Sequence, residues 1–203
     1  MYPLHVIFGI WKTGICLYSH VIYKKVNLHM KVVNLFGGPG TGKSTTAADL
    51  FALMKWSNKS VELVNEYAKE IVWEQRYQIF EDQLYITAKQ NRKLHRIKGQ
   101  VNWAITDSPL LLSLVYCSPD YLPNTFPHMV HELYNTYDNV NIFLEREKPY
   151  HQVGRNQNEE EARLLDVKAK ALLEENGYNY HVIPANSDAR YTIYELLRHA
   201  YDL

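Results

Sequence analysis

The sequence predicts an α/β domain built on a parallel sheet with helices on both faces, and three observations lead there. From residue 31 onward, short apolar runs alternate with longer stretches of helical spacing, the pattern of parallel strands joined by crossover helices. The stretch Gly37-Gly38-Pro39-Gly40-Thr41-Gly42-Lys43-Ser44 matches G-x-x-x-x-G-K-[ST] in full and stands between the first apolar run and the first helix. The chain's 203 residues have room for one such domain with a sizeable core, and hardly for two.

The elements follow in order. Residues 31–36 read as the first strand, and residues 42–56 as the helix leaving the glycine loop. Residues 61–65 give a second strand. Helices are expected over 66–74 and 80–97, the latter with Leu84, Ala88 and Leu94 near helical spacing. A third strand over 101–106 ends at Asp107-Ser108-Pro109, where proline permits a first helical turn. Helical stretches cover 110–117 and 127–137, separated by a loop rich in Pro119, Pro123 and Asn124. Residues 140–144 form a fourth strand, and 159–175 a charged amphipathic helix stopped by Asn176-Gly177. A fifth strand over 180–183 and a closing helix over 190–201 complete the chain. Ligands of such sheets bind beyond the carboxyl ends of the strands. The glycine loop, Glu66, Asp107 and Arg146 each follow a strand, so they are expected on one rim.

Residues 1–29 fit this scheme less well. Two apolar and aromatic runs, 4–10 and 15–23, are separated by Lys12 and diluted by His5 and His20. Neither reaches the roughly 20 residues of a membrane helix, and no clean secretory signal is present. Met30-Lys31 stands directly before the first strand. The expectation is an extension over 1–29 that the domain at 30–203 does not need, with a membrane anchor as the alternative.

Hydrophobic residues make up 46% and charged residues 22%, which argues against extensive disorder. Lysine plus arginine balances aspartate plus glutamate at 22 each. The broad positive footprint of a protein that holds extended nucleic acid is therefore missing. Cys16 and Cys117 are far apart and in no metal-like spacing, which fits a reducing, cytoplasmic setting. The nine histidines show no ligand spacing either.

The glycine loop carries the strongest chemical signal. Glycines let backbone wrap closely around phosphate with successive N–H groups pointing inward, and the following helix presents its positive end to the anion. Residues Gly37, Gly38, Pro39, Gly40, Thr41, Gly42, Lys43, Ser44 and Thr45 are the candidate nucleotide contacts. Lys43 is placed to reach the β- and γ-phosphates of ATP, and the Ser44 hydroxyl to ligate Mg²⁺.

Asp107, at the tip of the third strand, is a candidate to hold Mg²⁺ through water or to orient the attacking hydroxyl. A helix N-cap near Pro109 is the competing reading. Glu66, after the second strand, is either a general base for the acceptor or simple helix-start electrostatics. Arg146 and Arg155, with Lys148 and Arg163 nearby, flank a polar segment at 147–158 that reads as a mobile loop over the site. Its arginines suit charge neutralisation on a transferring phosphoryl group, while Arg163 has Glu159 as an i,i+4 partner. The helix at 80–97 offers Asp82, Gln83, Tyr85, Gln90 and Arg92, of which Gln83 and Tyr85 could read and stack an acceptor. Core packing is the competing role.

The order of these parts resembles a known family. After the glycine loop come Val64-Asn65-Glu66-Tyr67-Ala68-Lys69-Glu70, Asp82-Gln83-Leu84-Tyr85-Ile86 and Thr106-Asp107-Ser108-Pro109. Val153-Gly154-Arg155 and Glu160-Glu161-Ala162-Arg163 complete the series. The set is similar to the P-loop kinase-like family that includes the nicotinamide riboside kinase domain of the bacterial NAD-salvage regulator NadR, with many members in bacteriophages. The resemblance spans residues 30–203. It implies a P-loop NTPase fold of nucleoside/nucleotide-kinase type, with a five-stranded parallel sheet and an arginine-bearing lid. It also implies Mg·ATP at residues 37–44, Asp107 serving the metal or the acceptor hydroxyl, and Arg155 acting from the lid. Two features depart from the pattern: Ser108 stands where many nucleoside kinases have arginine, and no adenylyltransferase domain accompanies the kinase-like one.

Three functions follow as expectations. The first is an ATP-dependent kinase acting on a hydroxyl of a small nucleoside, nucleotide or nicotinamide-riboside-like acceptor. The second is a kinase acting on a nucleotide within DNA or RNA, with the basic residues Lys89, Arg92, Lys93, Arg96 and Lys98 holding a strand end. The third is an ATP-binding switch that hydrolyses slowly.

Overall fold

β1, Lys31–Phe36, is the middle strand of the sheet, and its alternation divides the molecule into two layers. Val33 and Leu35 meet Ala47, Leu50 and Met54 on one side, with Ala189, Ile193 and Leu197 beside them. Val32 and Phe36 face the other side, towards Phe126, Val130, Ala169 and Leu173. The computed structural model describes residues 30–147, 150–151 and 157–203; the expected extension at 1–29 lies outside the described residues.

The remaining strands are β2 Val61–Val64, β3 Trp103–Thr106, β4 Asp138–Glu145 and β5 His181–Pro184. All pairings are parallel, in the order β2-β3-β1-β4-β5. Helices α1 (Lys43–Trp56), α2 (Tyr67–Trp73), α3 (Gln83–His95), α4 (Leu112–Tyr116), α5 (Thr125–Tyr134), α6 (Glu159–Glu175) and α7 (Ala189–Ala200) connect and cover them. The expected five-stranded parallel sheet flanked by helices is thus present. Among the described residues, no helix is long and apolar enough to cross a membrane.

One expected helix is divided. The stretch 80–97 is a 3₁₀ turn at Tyr77–Glu81 followed by α3, and Asp82 separates them as N-cap. Its carboxylate accepts from the Tyr85 amide at 3.0 Å and from the Tyr121 hydroxyl at 3.2 Å, which stabilises a helix start at this point. The helix expected at 110–117 shortens to Leu112–Tyr116, and the one expected at 127–137 begins earlier, placing Pro127 in its first turn. By contrast α6 keeps its expected bounds. A reciprocal cap fixes its start, with Asn158 accepting from the Glu161 amide and Glu161 accepting from the Asn158 amide.

A buried polar cluster sits in the layer beneath α5. Asn34 donates to Asn139 at 2.9 Å, and the Tyr134 hydroxyl donates to Asn141. These groups satisfy one another inside the protein. The unsatisfied chemistry lies instead at the carboxyl end of the sheet.

Candidate functional site

The phosphate-loop motif joins β1 to α1, and its amides have no helical partners. Thr46 makes the first α-helical bond, to Gly42 oxygen at 2.9 Å, so the Lys43, Ser44 and Thr45 amides that open the helix have no helical partner and can meet an anion. Gly42 is the N-cap residue at φ 112°, a conformation that suits glycine, and no side chain caps this helix end. Pro39, Gly40, Gly42, Lys43, Ser44 and Thr45 face a chamber of about 540 Å³. Gly37, Gly38 and Thr41 are buried. The Thr41 hydroxyl donates to Gly38 oxygen at 2.5 Å, which ties the loop across itself.

The rim residues converge on Lys43. Its ammonium donates to the Gly37 and Gly38 carbonyls at 2.7 and 2.9 Å. Burial lowers its pKa from the ordinary 10.5, against the opposing pull of Glu66, Asp107 and Asp166. Glu66, at the N-cap position of α2, makes no capping bond with its side chain; it lines the chamber instead. Loss of solvent raises its pKa above the ordinary 4.5, Lys43 opposes that rise, and Asp107 adds to it.

Asp107 is 3% exposed, and its Oδ1 is buried without a hydrogen-bond partner. The N-cap reading of Asp107 does not hold, because α4 begins only at Leu112. A buried acceptor left unpaired is costly, and here it points to a group that the protein itself does not supply. The donor set fits a hydrated Mg²⁺ on a nucleotide: the Ser44 hydroxyl in the first turn of α1 and the Asp107 carboxylate just past the end of the neighbouring strand β3.

Arg146 follows β4 and is fixed from three sides. Its Nε donates to Asp166 at 2.8 Å, and its Nη2 donates to Pro39 oxygen at 2.8 Å and to Thr41 Oγ1 at 3.2 Å. Nη1 is buried with no partner and lies 3.4 Å from where a Cβ on Gly40 would sit. Arg155 and Lys148 lie outside the described residues, as does most of the expected loop. Of its described residues, Tyr150 packs its ring on Gly40, and Gln157 lines the chamber. Arg163 is an exposed partner of Glu159 at 2.8 Å.

Away from the loop, the chamber is walled by Val72, Trp73, Phe80, Ile86, Leu110 and Leu112, with the polar side chains of Gln83 and Thr87 among them. Gln83 is buried and uses Nε2 on Phe80 oxygen at 2.8 Å. Gln90 also borders the chamber but holds the Tyr67 amide at 2.9 Å, a structural task. Tyr85 does not line the chamber; its hydroxyl meets that of Tyr67 at 3.2 Å. Sequence reasoning missed Asp166, although a lone acid on the stripe Ala162, Ala169 and Leu173, the buried face of α6, was a readable signal.

A glycine loop at a helix N-terminus, on a parallel sheet ordered β2-β3-β1-β4-β5, defines a P-loop NTPase fold of the nucleoside-kinase type. Residues 32–190 match the family described as AAA domain, and the chain belongs to that family. No curated protein matches it. Among solved structures it is similar to deoxyadenosine kinase from M. mycoides, bound to the products dCMP and a flexible dCDP. That likeness has 18% identity, a TM-score of 0.53, and covers 85% of this chain and 100% of the other. The same enzyme with bound dATP matches at 19% identity and a TM-score of 0.51, over 82% of this chain and 99% of the other. At these identities the likeness carries the fold.

Proposed function

We propose that this chain is an ATP-dependent kinase that moves the γ-phosphoryl group to a hydroxyl of a nucleoside-like acceptor. One observation carries the proposal. The chamber does not stop at the phosphate loop but continues past Glu66 to an apolar and aromatic wall with Gln83 in it. A nucleotide switch needs the loop alone, whereas a kinase needs a second compartment for its acceptor. A flat ring against Trp73 and Phe80, with a polar edge towards Gln83, suits that compartment.

In this reading residues 37–45 hold the triphosphate of ATP, with Lys43 on the β- and γ-oxygens. Ser44 and Asp107 would hold Mg²⁺, which would supply charge neutralisation on the phosphates. Glu66 accepts the proton of the acceptor hydroxyl as its oxygen attacks the γ-phosphorus. The bond from that phosphorus to the β–γ bridging oxygen breaks, and ADP leaves. Arg146, through its unpartnered Nη1, stabilises the charge that spreads over the transferring group. Arg155 keeps its proposed lid role, as a second arginine closing over the phosphates.

The test is incubation of the full chain with Mg·ATP and separate acceptors, followed by mass spectrometry of the products. The acceptors are nucleosides, nucleoside monophosphates, nicotinamide riboside and oligonucleotides. Phosphorylated nucleoside or riboside with matching ADP supports the proposal. Phosphorylated oligonucleotide alone moves the acceptor to a strand end, and ADP without any phosphorylated acceptor replaces the kinase with an ATPase.

A further inference from the structure

Helix α6 lays an acidic side chain directly on the phosphate loop. Its buried face is the stripe Ala162, Ala169 and Leu173, and Asp166 falls on that stripe, one turn after Ala162. The small Ala162 lets the helix come close, to the point that a Cβ on Gly38 would lie 2.4 Å from Ala162 oxygen and 2.8 Å from Asp166 Oδ1. The Asp166 side chain is only 18% exposed, so its charge needs partners within the protein. All of its hydrogen-bond partners among the described residues belong to the loop or to Arg146. Oδ1 accepts from the Gly38 amide and from the Thr41 hydroxyl, the latter at 3.2 Å, and Oδ2 accepts from Arg146 Nε at 2.8 Å.

The consequence falls on Arg146. A guanidinium is a rigid planar fork, so bonds on two of its edges fix the direction of the third nitrogen. Asp166 holds the Nε edge, and Pro39 oxygen holds Nη2 at 2.8 Å. Nη1 is left buried, unpartnered and next to Gly40. A donor fixed in this way needs no reorganisation when charge develops in front of it.

We infer that Asp166 is a positioning residue: it holds the Arg146 guanidinium so that the free nitrogen stays fixed beside Gly40 of the phosphate loop. The inference rests on the kinase reading for the identity of the charge that Arg146 meets. Asp166 itself touches neither nucleotide nor acceptor.

The test is a double-mutant cycle on the full chain, with Asp166→Ala, Arg146→Ala and the double variant, each first checked for folding by circular dichroism. Loss of a pre-aimed charged donor costs about 10²-fold in kcat, so each single variant is expected to lose about that factor. The KM for ATP should stay within about threefold, because binding and transition-state effects separate in this way. The double variant should be no slower than Arg146→Ala alone by more than about twofold, since the two residues act as one unit. Multiplying losses in the double variant, or a change confined to KM, would overturn the inference. Should Asp166→Ala fail to fold, Asp166→Asn keeps an acceptor for the Gly38 amide and the Thr41 hydroxyl while weakening the charged bond to Arg146. It should still lose about tenfold in kcat, and full activity would count against the inference. If the wild type hydrolyses ATP but phosphorylates no acceptor, the kinase reading fails and the same cycle is read on hydrolysis. A wild type that binds ATP and does neither sinks both.

Discussion

The Lys43 ammonium donates to the Gly37 carbonyl at 2.7 Å, so the loop holds in place the lysine that the fold aims at phosphate. The carboxylates of Glu66 and Asp107 act on the same ammonium electrostatically, favouring its charged form. Replacing Lys43 with methionine keeps the length and removes the charge. Lys43→Met should lower kcat by about 10²–10³-fold, the cost typical of losing one fixed electrostatic donor. Single-turnover transfer of radiolabelled γ-phosphate is the measurement.

Glu66 gives a pH signature. Burial raises its pKa above 4.5. The folded state therefore binds this proton more tightly than the unfolded chain does, so the stabilising contribution is complete below pH 4.5 and is lost as pH rises through the raised value. Without nucleotide, Glu66→Gln should melt higher than the wild type at pH 8, with the gap closing near pH 4.5. As the base must be ionised to work, the acid limb of kcat/KM should lie above pH 4.5 in the wild type and be missing from the Gln variant. Parallel melting and rate profiles decide both points.

Gly38 is required for contact rather than for its own dihedral freedom. A methyl group there meets the backbone of α6, with Ala162 oxygen only 2.4 Å away. Gly38→Ala should destabilise the fold by about 1–3 kcal/mol, which is roughly 2–4 °C in Tm for each kcal/mol in a domain of this size. Gly99 is the control, with φ +78° but nothing within 4 Å. Gly99→Ala should cost about 1–2 kcal/mol through its left-handed backbone alone and leave ATP binding unchanged, whereas Gly38→Ala should also weaken ATP binding. Thermal melts and ATP titrations of the two variants make the comparison.

Much of this was legible in the sequence because the signals were local. The glycine motif, the strand runs and the Asn176-Gly177 stop each act within a few residues, and α6 ends where that stop places it. Helix α3 was harder to read. Its expected apolar marker Leu84 is 46% exposed, while Gln83, Thr87 and Gln90 are buried. Those polar side chains are tolerated inside because each has a partner: the Thr87 hydroxyl donates to Gln83 oxygen at 2.7 Å, for instance. The role of Asp166, as distinct from its place on the buried stripe, was illegible for a different reason. Its partners on the loop, Gly38 and Thr41, lie more than a hundred residues away along the chain, and only the packing of α6 on the loop brings them together.

The central claim is that residues 37–44 grip a magnesium-bound triphosphate, with Asp107 supplying the acceptor that its buried Oδ1 now leaves unused. Isothermal titration of ATP into the full chain, with and without Mg²⁺, tests it most directly. The account predicts one saturable site that Mg²⁺ tightens, and a tightening that largely disappears in Asp107→Asn. A folded wild-type chain that releases no heat with ATP and Mg²⁺ would contradict it.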